Sequence, residues 1–123
     1  MYLLPLLLLC HFAADFTPLS TRWMLNAKYH GRPVFPILIH GIVHGLLMFL
    51  VCVSYTTTLN ALLIFLFQTV THTVIDIGKG RITASNVNLE SIRNPMHWVL
   101  FGVDQLLHQI VIVLIFYYIL YNH

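Results

Sequence analysis

The stretch "VDQLLHQIVIVLIFYYIL", Val103 to Leu120, is apolar almost throughout, yet it begins with an aspartate that is followed four residues later by a histidine. A helix that spans a lipid bilayer needs about 20 mostly apolar residues, because unpaired backbone groups are too costly in hydrocarbon. Length and composition therefore predict that this stretch crosses a membrane. Asp104 and His108 then require an explanation, since ionisable groups inside a bilayer are expensive and are usually functional.

The rest of the chain has the same apolar character. Of its 123 residues, 59% are hydrophobic and only 8% are charged, whereas soluble domains carry about 25% charged residues. We predict an all-α protein, an integral membrane bundle of four transmembrane helices that forms one domain over residues 1–123. The predicted spans are residues 2–19, 34–55, 59–77 and 98–121.

The basic residues predict the orientation of this bundle. They fall only in the first and third connections, at Arg22, Lys28, Arg32, Lys79, Arg81 and Arg93. The positive-inside rule places both connections in the cytoplasm and both chain termini outside. Six dispersed cations without interleaved stacking aromatics do not indicate nucleic-acid binding. Membrane lipid is the expected partner, and the sequence leaves open a homodimer or a larger membrane complex.

Each predicted span carries one pair of histidine or aspartate residues with a spacing of four. The pairs are His11 and Asp15, His40 and His44, His72 and Asp76, and Asp104 and His108. Residues four apart lie on one face of a helix. The pairs come late in the spans that run inward and early in those that run outward. We therefore expect them to converge in one layer of the cytoplasmic half of the membrane.

Such a layer has the composition of a metal site. Five imidazoles and three carboxylates can ligate two divalent ions, as in the dimetal sites of helix bundles. All eight paired residues are predicted ligands, with zinc favoured because the set is rich in imidazole, and with iron or manganese as alternatives. Lys79, one turn beyond Asp76, is expected to balance a carboxylate. Gln105 and Gln109 are expected to support the ligands by hydrogen bonds.

The motifs "HFAADF", "HGIVH", "HTVIDIGKG" and "DQLLHQ" follow one another over nearly the whole chain. In these motifs the sequence resembles the bacterial membrane-protein family named domain of unknown function 3307. That family is similar in layout to membrane-bound metal-dependent hydrolases. The resemblance implies a multi-pass protein of the bacterial inner membrane in which these histidines and aspartates are the important positions.

A metal-dependent hydrolase is the function we expect, because a divalent ion lowers the pKa of bound water to about 7. Its substrate would be amphiphilic and would lie near the cytoplasmic leaflet. Asp104 and Lys79 are the predicted catalytic residues, with Lys79 stabilising a developing oxyanion. Two alternatives stay open. One is an accessory or structural subunit of a membrane complex, in which the polar layer joins the helices. The other is a transport element for protons or divalent ions.

Overall fold

The computed structural model describes residues 2–122, and within that range the chain is all helical, as predicted. Five α-helices and one short 3₁₀ helix at Val87–Glu90 make up the described part of the chain. The α-helices are α1 (Leu3–Phe16), α2 (Arg22–His30), α3 (Val34–Cys52), α4 (Thr58–Ser85) and α5 (Pro95–Tyr121).

Three of these helices, α3, α4 and α5, are long and apolar enough to cross a membrane. Helix α1 is apolar but has only 14 residues. Its length is therefore about 21 Å, less than the roughly 30 Å thickness of the hydrocarbon core. It ends at Phe16, close to Pro18, because a proline disfavours helical backbone in the residue before it. Three helices that could span a membrane are consistent with the predicted membrane protein, whereas a fourth crossing stays a prediction.

Two of the long helices extend beyond the predicted spans, whereas α3 ends at Cys52, before the predicted end at residue 55. Helix α4 continues to Ser85, where the prediction ended at residue 77, and α5 begins at Pro95 rather than at residue 98. The side chain of Asn94 accepts a hydrogen bond from the Met96 N–H at 3.0 Å and so caps α5, with proline at the first helical position. Hydropathy indicates where a segment leaves the lipid, whereas capping residues determine where the helix itself begins or ends.

Helix α2 lies within the first connection, which the sequence analysis left outside the predicted helices. Thr21 caps its start, and Gly31 ends it in the left-handed conformation with a φ of 69°. The helix packs against α3 and α4. A Cβ atom at Gly80 of α4 would lie 2.3 Å from the carbonyl oxygen of Lys28. Glycine at this position therefore lets the backbone of α2 lie directly on α4.

Helices α3 and α4 are also in close contact. A Cβ atom on Gly41 would lie 2.2 Å from Thr73 Oγ1, and one on Gly45 would lie 2.3 Å from Thr69 Oγ1. These two glycines therefore allow the backbones of α3 and α4 to lie close together. At Gly102 of α5, by contrast, an added Cβ would meet no described atom within 4 Å apart from its chain neighbours and the backbone of its own helix.

The interior of the bundle has an apolar part and a polar part. The apolar core consists of Leu3, Leu7, Met48, Cys52, Ala61, Ile64, Ile112, Ile115 and Ile119. The buried histidines and aspartates lie nearer the end of the bundle where α1 stops and where α3 and α5 begin. The polar residues therefore occupy one end of the interior, and the apolar core closes the other.

Candidate metal centre

The structure brings the four predicted pairs together in one buried cluster. The imidazole ring of His72 lies at its centre, with ring centroids 3.5 Å from His44, 4.2 Å from His108, 5.1 Å from His40 and 5.8 Å from His11. The polar cluster comprises His11, Asp15, His40, His44, His72, Asp76, Asp104 and His108, joined by Lys28. Helices α1 to α5 therefore all contribute to one site.

One oxygen of Asp15 organises half of the polar cluster. Asp15 Oδ1 accepts hydrogen bonds from Lys28 Nζ at 3.1 Å, from His40 Nε2 at 2.9 Å and from His44 Nε2 at 3.1 Å. Because a carboxylate oxygen can only accept, a histidine that donates to it carries a proton on Nε2; His40 Nε2 also lies 3.2 Å from Lys28 Nζ, from which it can accept instead. The second oxygen, Oδ2, lies 3.4 Å from His11 Nε2. The negative charge of Asp15 is thus balanced by a hydrogen-bonded network.

Lys28 is the lysine that balances the buried carboxylates. Its Nζ lies 3.5 Å from Asp76 Oδ2, in addition to its contact with Asp15. Burial by itself lowers the pKa of Lys28, but Asp76 and Asp15 outweigh it and hold the pKa above its ordinary value. The proximity of Lys79 to Asp76 in the sequence predicts that this lysine balances a carboxylate. Instead, Lys79 Nζ lies 5.5 Å above the ring centroid of Phe101 and makes no ion pair with any described carboxylate.

The other half of the polar cluster is not satisfied by hydrogen bonds. Ligand atoms of His72, Asp76 and His108 lie within 4.8 Å of one another, and we call these residues the triad. His72 Nε2 is 3.1 Å from Asp76 Oδ2, and His108 Nε2 is 3.6 Å from Asp76 Oδ1. Within residues 2–122, however, His72 Nε2, Asp76 Oδ2 and His108 Nε2 have no hydrogen-bond partner. Asp76 Oδ2 still has the ammonium group of Lys28 at 3.5 Å, whereas a buried polar atom left without any partner costs about 1–3 kcal/mol.

The hydrogen bonding of His108 shows which of its nitrogens is free. Its Nδ1 lies 2.7 Å from the main-chain oxygen of Asp104. Since a carbonyl oxygen only accepts, Nδ1 carries the proton, and a neutral ring directs the lone pair of Nε2 towards the carboxylate of Asp76. These two acceptors are satisfied by a metal ion or by a proton between them, whether on the ring or from a bridging water. Histidines that bind metals usually donate their other N–H to a carbonyl or carboxylate, as His108 does.

Six of the eight predicted ligands fall into two groups, and His11 and Asp104 belong to neither. Besides the triad, Asp15, His40, His44 and His72 place ligand atoms within 4.8 Å of one another. The two groups share His72, and in the second group Lys28 supplies a positive charge. A buried cluster of this kind is compatible with a metal ion, and the triad offers the free ligand atoms.

Asp104 and the two glutamines have different surroundings. Asp104 is buried, and its Oδ2 accepts a hydrogen bond from Gln105 Nε2 at 3.1 Å. Its Oδ1 has no hydrogen-bond partner in the described part of the chain. Gln105 therefore contacts a predicted ligand, and its supporting role stays a prediction. Gln109 is exposed and lies outside the polar cluster, because the buried stripe of α5 passes from His108 to Ile112.

Lys28 is a residue of the site that was not predicted from the sequence, and Gln68 is a further buried polar residue of α4. Gln68 is 1% exposed and lies one turn before His72, on the same face of α4. The spacing of four that connects His72 to Asp76 extends back to Gln68, so this pattern was readable in the sequence. For Lys28, the available signal was a short helix bracketed by the capping residues Thr21 and Gly31.

A cavity of about 270 Å³ lies beside the polar cluster. Its polar lining is formed by Asp15, Lys28, Lys79, His97, Asp104 and Gln105. Apolar side chains, among them Phe16, Leu25, Leu100 and Phe101, complete the wall. The cavity shares three of its lining residues with the polar cluster, namely Asp15, Lys28 and Asp104. A molecule in this cavity would therefore contact the cluster directly.

Comparison with protein families matches residues 3–123 to the family described as "Protein of unknown function (DUF3307)". No curated protein and no solved structure matches the chain. The family match covers nearly the whole sequence and confirms the resemblance found in the four motifs. The description of the family names no activity, so the chemistry has to be inferred from the geometry of the polar cluster.

Proposed function

The chain belongs to this family of proteins of unknown function, and we propose that it is a membrane-embedded, metal-dependent hydrolase that acts on an amphiphilic substrate. The observation that carries the proposal is the set of buried triad atoms that make no hydrogen bond, His72 Nε2, Asp76 Oδ2 and His108 Nε2, which lie close enough together to bind one ion. Two imidazoles and one carboxylate are a ligand set of catalytic zinc sites that keep one position open.

We favour zinc, and the same ligand set also suits iron or manganese. The bound ion would lower the pKa of water and polarise an acyl or phosphoryl oxygen. The dimetal site expected from the sequence would place a second ion among Asp15, His40 and His44. In our proposal the ammonium group of Lys28, 3.1 Å from Asp15 Oδ1, provides the positive charge there. The triad therefore holds one ion.

Asp104 and Lys79 are the residues that we assign to the reaction. The free Oδ1 of Asp104 accepts a proton from a water molecule while the water oxygen attacks the acyl or phosphoryl centre. The bond from that centre to the leaving group then breaks, and Asp104 returns the proton to the leaving atom. Lys79, which lines the same cavity, balances the negative charge that develops. The net reaction consumes one water and leaves Asp104 unchanged.

The placement in the membrane follows from the basic residues at the cluster end of the bundle. By the positive-inside rule, that end lies in the cytoplasmic half of the inner membrane, with both termini outside and with α1 as a fourth membrane-inserted helix. Asp104 is nine residues beyond Pro95, the first residue of α5, which corresponds to a depth of about 14 Å along the helix. The labile bond of a lipid would reach this depth.

The apolar core favours hydrolysis over conduction. A path for protons or ions needs polar groups across the bilayer, but the core that follows the polar cluster is built from aliphatic side chains, methionine and cysteine. The network around Asp15 is well suited to joining helices, so a purely structural cluster is the competing function. That alternative predicts no metal and no turnover.

The proposal is tested by following the release of fatty acid, phosphate or amine from mixed lipid vesicles that contain the purified protein. Zinc-loaded wild-type protein should show turnover that chelation abolishes. His108→Ala should lose it, and His30→Ala should keep it, because His30 is exposed at the end of α2 and lies outside the polar cluster. Absence of zinc-dependent turnover on ester, phosphoester and amide lipids, or equal turnover in both variants, would contradict the proposal.

A further inference from the structure

The cavity beside the polar cluster contains a cation that no protein group balances. Lys28 is matched by Asp15 at 3.1 Å and by Asp76 at 3.5 Å. Lys79 also borders the cavity, but within residues 2–122 its ammonium group has no carboxylate within 4.0 Å and only faces the ring of Phe101. Lys79 is therefore available to bind an anionic group of a ligand.

The wall of the cavity includes exposed apolar side chains. Phe16 is 57% exposed and Leu25 is 45% exposed, and both border the cavity together with Leu100 and Phe101. Exposed apolar side chains gain from contact with acyl chains and not from contact with a small hydrophilic anion. The volume of about 270 Å³ suits a headgroup but not two acyl chains. The chains of such a ligand must therefore lie outside, along these apolar residues.

The position of Lys79 and the charge of its neighbours favour a phosphate diester as the anionic group of the ligand. Lys79 lies six residues before Ser85, the last residue of α4, at a depth where lysine side chains reach lipid headgroups. Lysine binds phosphate as a point charge. The carboxylate of Asp104 lines the same cavity and repels a dianion more than a monoanion. A phosphate diester with one charge is thus favoured over a phosphate monoester.

We propose that this cavity binds the phosphate of a membrane phospholipid, with Lys79 as the residue that recognises it and with the acyl chains lying against Phe16, Leu25 and Phe101. This inference names the substrate class of the hydrolase, and its catalytic meaning rests on the proposed function. The binding itself does not require the metal ion, because Lys79 belongs to neither group of candidate metal ligands.

Isothermal titration calorimetry on chelator-treated protein in detergent tests the binding. The probes are dihexanoyl phosphatidylglycerol, dihexanoylglycerol, which lacks the phosphate, and glycerol 3-phosphate, which lacks the chains. Wild-type protein should bind phosphatidylglycerol more tightly than either of the others. Lys79→Gln should weaken that binding about tenfold, whereas Lys79→Arg should retain it. Arg93→Gln is the matched control, because Arg93 is an exposed cation in the segment before α5.

Each contrary outcome has a definite meaning. Equal affinity of Lys79→Gln and wild type, or equal binding of phosphatidylglycerol and dihexanoylglycerol, would overturn the role of Lys79. Glycerol 3-phosphate binding as tightly as the lipid would assign the cavity to a soluble phosphate and overturn the lipid as its source. If Lys79→Gln does not fold, the salt dependence of wild-type binding decides, since charge recognition must weaken with salt. Lipid binding without zinc-dependent turnover would refute the hydrolase alone.

Discussion

Replacing Lys28 with methionine removes the positive charge between Asp15 and Asp76 while keeping a side chain of similar length. Lys28 Nζ lies 3.1 Å from one carboxylate and 3.5 Å from the other. With an effective dielectric constant of about 20, each pair contributes about 5 kcal/mol of Coulomb attraction. Desolvation of the charges offsets much of this, and loss of one partner of a buried ion pair typically costs about 3–5 kcal/mol. We expect Lys28→Met to lose that much stability.

Thermal unfolding in detergent without divalent ions measures the loss, with Trp23 and Trp98 as fluorescent reporters. A change of 3–5 kcal/mol corresponds to a decrease in Tm of roughly 10–25 °C for a chain of this size. Lys79→Met is the matched control, because Lys79 has no carboxylate partner among the described residues, and its Tm should stay within a few degrees of the wild type. Equal Tm values for the two variants would refute Lys28 as the buried counter-charge.

The response of Tm to added zinc should also distinguish the same two variants. In Lys28→Met, an ion held by Asp15, His40 and His44 can replace the lost ammonium group, so zinc should raise its Tm more than that of Lys79→Met. The zinc content should increase from one to two ions per chain. If zinc stabilises both variants equally, Lys28 does not act in place of a second ion.

Three further outcomes follow from the structure. Gly80→Ala should lower Tm because its Cβ would lie 2.3 Å from the α2 backbone. Gly78→Ala, whose Cβ meets no described atom within 4 Å, should instead raise stability by up to about 1 kcal/mol. Equal effects of the two substitutions would contradict the close approach of α2 and α4. Asp104→Asn should abolish turnover and keep the metal, because Asp104 lies outside both ligand groups; loss of metal would make it a ligand. Ser91→Cys should react with an impermeant maleimide from the cytoplasmic side and Ser54→Cys from the outside; the opposite pattern would reverse the orientation.

The convergence of the polar cluster was predictable because it depends on helical periodicity and on chain direction. Spacings of four in "HTVID" and "DQLLH" place each pair on one helix face, and alternating helix directions put the pairs at one end. No tertiary detail is needed for either step. The length of α1 was harder to predict, because hydropathy continues to Leu19 while Pro18 disfavours helix after Phe16.

The roles of the lysines were not predictable by the same reasoning. Lys79 is close to Asp76 in sequence, and that proximity suggested an ion pair. Lys28 reaches Asp76 instead, because α2 packs on α4 at Gly80. That close approach is a tertiary contact, and a single glycine in a polar segment of sequence does not reveal it.

The central claim is that the triad binds a metal ion, and elemental analysis by mass spectrometry tests it most directly. Wild-type protein, His108→Ala and His30→Ala are purified in detergent, with and without added zinc, iron and manganese. We predict one ion per chain in the wild type and in His30→Ala, and none in His108→Ala. If the wild type contains no metal after supplementation, then a proton lies between His108 Nε2 and Asp76, and the polar cluster is structural.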